Sequence, residues 1–321
     1  MSFDTLNQPT FIDLFSGAGG FSCGFRQAGF RDLLAIELDP YAAETYKQNH
    51  PEAIVLNEDV RNIHSLDILK LIKESPDVII ASPPCEPFTL ANPKRFSDAW
   101  SRFYLYPNGD LIFHALRIIT DLQPKFFVIE NVFPMIDGEG KEIIEEEFKR
   151  FGWKKIYFNV INAEMHGCPS KRKRVFISNI PLYLPRRSVV TVAEAFAGLP
   201  RPSPMCSIAN HVTIPLPQKI ELRAPKLLPL QAAIYFKGAK SEKRNWIRLS
   251  YDKPAPTVMG KSRFIHPEED RALTIREHAR LMTFPDEFIF VGPNDVAYNQ
   301  VGEAVPPLIS YLIAKKIRKK M

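Results

Sequence analysis

Six residues, Asp77-Val-Ile-Ile-Ala-Ser82, make a run too short and too β-branched for a helix, and Pro83-Pro84 stops it abruptly. Such a run is a strand buried on both faces. A proline pair cannot donate to a sheet ladder, so the strand must end there. A strand of this kind belongs to an open α/β sheet, whose sites lie at the C-terminal ends of its strands. The residue just past the stop is Cys85. On this stretch alone, Cys85 reads equally as a placed thiol or as a small core residue, the usual fate of a free cysteine.

The same pattern recurs along the chain. Thr10–Phe15, Leu33–Ile36 and Lys125–Val132 are predicted strands, as is Trp153–Val160. Helices are predicted at Ser22–Ala28 (closed by Gly29), Asp110–Leu122, Glu142–Phe151, Thr274–Met282 and Leu308–Lys320. At 321 residues and 45% hydrophobic, the chain suits one large domain and a smaller one. We place the large, cofactor-binding domain at 1–180 and a smaller irregular domain at 181–290, with 291–321 returning to the large one. No apolar run is long enough for a membrane span. Met1–Asn7 lacks the basic start of a signal peptide. Cysteines 23, 85, 168 and 206 show no metal or redox spacing, which points to free thiols in a reducing, cytoplasmic setting and to no metal site.

The net charge is +6, and its distribution is uneven. Residues 181–245 hold ten Lys or Arg against three acids, and nine prolines. A basic, proline-rich module with recurring Ile, Leu, Phe and Tyr is folded, and it favours a polyanionic partner.

Ser16-Gly-Ala-Gly-Gly-Phe21 joins the first strand to the first helix. Glycines admit a ligand close to the backbone, and the helix start offers free N–H groups. Glu37 ends the next strand about 20 residues later, where a carboxylate can accept both ribose hydroxyls. Asp59 ends a third run and is placed to accept from an adenine amino group. No lysine follows the glycines in the pattern that holds a triphosphate, so an adenosine ligand without phosphates fits better, with S-adenosylmethionine the obvious candidate. Residues 89–106, polar, aromatic and basic, look like a mobile lid over Cys85. Glu130 ends an apolar strand, a setting that raises a carboxyl pKa. In Lys171-Arg-Lys-Arg174, alternation sends Arg172 and Arg174 to one side of the strand.

Taken in order, these pieces resemble the DNA cytosine-5-methyltransferases: Asp13-Leu-Phe-Ser-Gly-Ala-Gly-Gly-Phe21, Glu37, Asp59, Pro84-Cys85, Glu130-Asn-Val132, Arg172-Lys-Arg174, Arg280-Leu-Met-Thr-Phe-Pro285 and Gln300-Val-Gly302. The resemblance implies a Rossmann-like S-adenosylmethionine-dependent sheet with a second, irregular, DNA-reading domain. It implies a cofactor site lined by Phe15, Ser16, Gly17, Ala18, Gly20, Glu37, Leu38, Asp59, Val60, Ser82, Pro84, Leu111 and Glu303. Cys85 would be the nucleophile and Glu130 would hold the cytosine edge. Arg172 and Arg174 would sit beside the flipped base and its phosphates. The implied partner is double-stranded DNA, read by a nucleoid-associated monomer whose cognate restriction endonuclease acts separately. Four positions depart from the family pattern: Glu86 and Glu303 stand where Gln and Asn are usual, Thr89 replaces Ser, and Ser170 stands where Gln is common. Two other readings stay open, a tRNA cytosine methyltransferase on the same scaffold and a catalytically silent DNA-binding relative. The second half lacks the Cys-Phe-Thr those RNA enzymes carry.

Overall fold

The computed structural model describes residues 8–321, so the reading of Met1–Asn7 lies outside it. Seven strands form the central sheet: β1 Thr10–Leu14, β2 Arg31–Ile36, β3 Ile54–Leu56, β4 Val78–Ala81, β5 Phe126–Val132, β6 Tyr157–Asn162 and β7 Lys173–Ser178. Their order across the sheet is β3-β2-β1-β4-β5-β7-β6. The first five run parallel, and β7 is antiparallel to both of its neighbours. This is the expected α/β methyltransferase sheet.

Period-two alternation explains why the strand runs are apolar throughout. Ile12, Leu14, Ile79, Ala81, Phe127 and Ile129 enter one core, packed with Leu111, Ala115, Ile118 and Ile119 of the helix Leu111–Leu122. Phe11, Val78, Ile80, Phe126 and Val128 enter the opposite core, under the helices Gly20–Gln27 and Pro307–Arg318. Both faces are covered, so every residue is buried and no polar face shows in the sequence. The sheet reverses its winding between β1 and β4, and the crevice at their C-terminal ends is where such sheets bind ligands. The glycine turn and the proline turn open into that crevice.

The sixth strand starts four residues later than predicted. Trp153 is drawn instead into the first core, where its ring meets Phe127 edge-on. Side-chain packing overrides β-propensity there.

The irregular part has its own core, with Val192, Ile247, Leu249, Val258, Phe264, Leu273, Leu281 and Phe288 among its members. It holds a small sheet, β8 Ala232–Lys237, β9 Glu242–Arg248 and β10 Phe264–Ile265, in the order β10-β9-β8. The helix Ile275–Leu281 begins at the predicted capping box, Thr274 with Glu277. Two observations bear on the expected division at residue 290. Ala297, Tyr298 and Val301 of the helix Asn294–Glu303 pack in this second core, whereas Pro307–Arg318 packs against Gly20–Gln27.

Prolines remove N–H donors, so the irregular backbone holds more carbonyls than it can pair by itself. Buried arginines satisfy them. Arg276 donates to the carbonyls of Ala209, Pro285 and Phe288, and Arg248 to those of His266 and Ala224.

Candidate active site

Four strand ends supply the site. The chain leaves β1 through Phe15, whose φ of 58° is left-handed, into a turn with Gly17 and Gly19 also at positive φ. At Gly17 a β-carbon would meet only open space, so its backbone faces the crevice. Glu37, at the end of β2, accepts the N–H of Gly17 at 2.8 Å and that of Asp39 at 2.7 Å. Burial pushes the Glu37 carboxyl up, and those N–H groups pull it back. Leu38 is an apolar side chain exposed to solvent beside it, and Val60 is buried.

The hydroxyls of Ser16 and Ser82 are buried without a hydrogen-bond partner. They end β1 and β4, the two strands flanking the crevice. Uncompensated polar atoms in that position fit a polar, nucleoside-like ligand better than packed core. Gly20 cannot carry a side chain, because a β-carbon would lie 2.6 Å from the Val305 carbonyl. Asp59 is placed differently from the expectation: Arg61 engages its two carboxylate oxygens through Nε and Nη2 at 2.7–3.0 Å. Any adenine amino group would share that carboxylate with a guanidinium.

Cys85 follows Pro83-Pro84, and Asn131 Nδ2 donates to the Pro83 carbonyl at 3.0 Å. That bond ties the proline turn to the end of β5, next to Glu130. Arg174 Nε lies 3.1 Å from Glu130 Oε1, an ion pair largely withdrawn from solvent. Burial raises the Glu130 carboxyl above its ordinary range, while Arg174 and then Arg172 oppose the rise. Burial likewise raises the Cys85 thiol. Arg174 draws it down, Glu130 and Glu303 push it further up, and Arg172 opposes them. One electrostatic neighbourhood therefore contains the thiol, two carboxyls and two guanidiniums, and the resting thiol is protonated.

Alternation in the basic run holds: Arg172 and Arg174 turn inward, Lys171 and Lys173 outward. Arg172, however, is not free for phosphates. Its Nη1 donates to the carbonyls of Val258 and Gly302 at 2.9 and 3.0 Å, and its Nη2 to Ala304 at 2.8 Å. Burial lowers its pKa to about 9. It clamps the irregular part and the C-terminal segment onto β7. Arg172→Met should cost on the order of 3 kcal/mol, because three buried carbonyls lose a charged donor. Urea unfolding measures this, and a loss below ~1 kcal/mol would discount the clamp. Ser170 serves the same seam, donating from Oγ to the Leu281 carbonyl at 2.8 Å.

The expected lid contains a short helix, Ala99–Tyr104, anchored by Arg102 to the Asp137 carbonyl and by Arg95 to that of Phe88. Its root meets the β8–β9 hairpin, where the Ala239 N–H donates to the Leu90 carbonyl at 2.9 Å. The roles of Asn131 and Arg102 escaped sequence reading. Asn131 adjoins Glu130 in the motif and carried a signal; Arg102 sits in a polar segment and carried none.

The profile of the family described as C-5 cytosine-specific DNA methylase matches residues 9–189 and 216–319. The chain is a member of that family. A Methanocaldococcus jannaschii protein assigned as a type II methyltransferase is 44% identical over 97% of this chain and 99% of its own length. The type II methyltransferase M1.HphI of Haemophilus parahaemolyticus is 35% identical over 97% of this chain and 87% of its own. Among solved structures, a prophage-encoded Escherichia coli protein described as a DNA modification methyltransferase aligns with a TM-score of 0.78 and 25% identity, covering 97% and 99% of the two chains. As a cytosine-specific DNA methylase, the protein is an enzyme that transfers a methyl group to DNA. Among the described residues, no helix is long and apolar enough to cross a membrane, and no group of three or more His, Cys, Asp or Glu is placed to hold a metal ion.

Proposed function

We propose that this DNA methylase takes its methyl group from S-adenosylmethionine and acts on a cytosine flipped out of the duplex, with Cys85 as nucleophile, as the modifying partner of a restriction system. The observation that carries the reading is the single neighbourhood of Cys85, Glu130 and Arg174 beside a glycine-lined crevice with unpaired serine hydroxyls. Gly17, Glu37, Leu38, Ser16 and Ser82 would hold the donor, and Leu111 and Pro84 would close its far side. Bound there, S-adenosylmethionine supplies an electrophilic methyl group.

The chain's own residues do the rest. Carbon 5 of cytosine is a weak nucleophile. Addition of the Cys85 sulfur to carbon 6 moves the ring electrons toward carbon 5. Glu130 holds N3 and gives it a proton as that addition places charge there. Arg174 steadies Glu130 and the developing charge on O2. Once carbon 5 is methylated, loss of its proton expels the thiolate and restores the ring. The target carbon is unreachable in a stacked duplex, hence the extrusion.

The departure at Glu303 is compatible with this site. Its carboxyl packs against Gly260, and burial, with Glu37 and Asp39 nearby, pushes it toward the neutral form. A neutral group does not repel the donor's carboxylate.

Labelled methyl incorporation into duplex DNA but not into tRNA is the expected result; incorporation into tRNA alone, or into neither, rejects the proposal. We assign reading of the DNA sequence to residues 181–290. Because residues 181–245 are so basic, DNA affinity should fall about 10³-fold between ~50 and ~200 mM salt. A flat salt response in an anisotropy titration would contradict contacts to the phosphates.

A further inference from the structure

Behind the glycine turn lies a chain of four oxygen-bearing side chains that the chemistry above does not use. Asp13 lies in β1, Ser22 in the helix Gly20–Gln27, Tyr46 in the helix Pro40–Asn49, and Asp32 in β2. Ser22 Oγ is 2.6 Å from Asp13 Oδ2. Tyr46 Oη is 2.7 Å from Ser22 Oγ and 2.6 Å from Asp32 Oδ2. All four residues are buried.

Three contacts at such distances each need a proton between the oxygens. The hydroxyls of Ser22 and Tyr46 supply two, so the third must come from elsewhere. His50 is the only histidine in contact with the chain, with Nδ1 3.5 Å from Asp32 Oδ2. That Nδ1 also faces Arg26 Nη1 at 3.2 Å, a donor only, and so acts as an acceptor. Burial and Arg26 keep His50 neutral, with a pKa lowered to about 3. The third proton therefore belongs to a carboxyl. Burial favours that outcome at both ends. Asp13 is raised well above its usual range, with Asp32 and Glu37 adding to the rise against the Ser22 hydrogen bond. Asp32 is raised to about 7, with Tyr46 and Arg26 opposing.

The chain bears on the turn directly. The rings of Tyr46 and His50 stack with centroids 4.3 Å apart, and a β-carbon on Gly19 would lie 2.5 Å from His50 Nε2 and 2.9 Å from Tyr46 Cδ2. Gly19 thus rests on these two rings.

We propose that Tyr46 is a positioning residue for the methyl-donor site: through one shared carboxyl proton, the chain Asp13–Ser22–Tyr46–Asp32 sets the height of the glycine turn. The proposal rests on the reading that this crevice binds S-adenosylmethionine. Loss of the shared proton as pH rises leaves two carboxylates and two hydroxyl protons, so one contact fails and the turn loosens.

Donor binding is measured by calorimetry from pH 6 to 9, without DNA. In the native protein the affinity should weaken with rising pH. Tyr46→Phe, which keeps the ring under Gly19, should bind the donor about ten- to a hundredfold more weakly at pH 6 and lose most of the pH dependence. It should raise KM for the donor while kcat at saturation stays within about twofold. Asp32→Asn, a permanently neutral partner for Tyr46, should bind nearly as the native protein does at pH 6 and stay level to pH 9. Infrared spectra of the free protein should show a protonated-carboxyl band, with only the Asp13 contribution surviving Asp32→Asn. Native affinity and slope in Tyr46→Phe, or no protonated-carboxyl band, overturns the proposal. No donor binding by the native protein would instead remove the cofactor reading and the proposal with it.

Discussion

Cys85→Ser is expected to reduce methyl transfer by on the order of 10⁴-fold or more, while binding of DNA and of the methyl donor stays within about twofold. The thiol lies where the proline turn ends, and nothing in the structure gives it a packing role that serine could not fill. A hydroxyl at that place has no strong base beside it and is too weak a nucleophile to add to carbon 6. Single-turnover assays with labelled donor measure the effect. Comparable rates for the two proteins would remove Cys85 from the chemistry; parallel losses in DNA binding would make its role structural.

Glu130→Gln is expected to lower kcat by about 10²–10⁴-fold at neutral pH and to change the shape of the pH profile. In the native enzyme the active arrangement pairs a thiolate with a protonated carboxyl. Glu130 is raised from the carboxylate range and Cys85 from the thiol range, so Glu130 loses its proton first. Between the two ionisations the active arrangement is a minor tautomer of constant abundance. Native activity should therefore rise with pH through the Glu130 ionisation, level off, and fall beyond the Cys85 ionisation. Gln is neutral at every pH, so the variant should rise through the thiol ionisation and not fall. A variant that retains the alkaline decline would show that Glu130 is not the acid.

The two effects have a common origin. Burial opposes both charges, and Arg174 only partly offsets it. Such a site keeps its thiol protonated until substrate arrives, which guards a nucleophile exposed at the mouth of a DNA cleft against premature reaction. Positively charged Arg174 then acts on whichever group is ionised, and coupled titration is the natural consequence.

Much of the site was legible in the chain itself. Short strands with abrupt ends, a glycine turn and acids at successive strand ends are local patterns, and the backbone rules that produce them act over a few residues. The α/β sheet, the glycine cradle, Glu37, Cys85 and Glu130 follow from such patterns. The late start of β6 did not, because Trp153 belongs to the first core through contacts with residues far away in sequence.

The functions of the two arginines diverge for the same reason. Four alternating cations looked alike in sequence. Only folding brings the carbonyls of Val258, Gly302 and Ala304 against Arg172 while Arg174 meets Glu130. Likewise no spacing rule links Asp13, Ser22, Asp32 and Tyr46, which sit on four separate elements. What the sequence alone determined is where strands stop and which reactive groups stand at their ends, since chain stereochemistry is local. What the tertiary structure decided is which charges meet, which carbonyls need donors and which protons are shared, because electrostatics and desolvation depend on neighbours the chain brings together only when it folds.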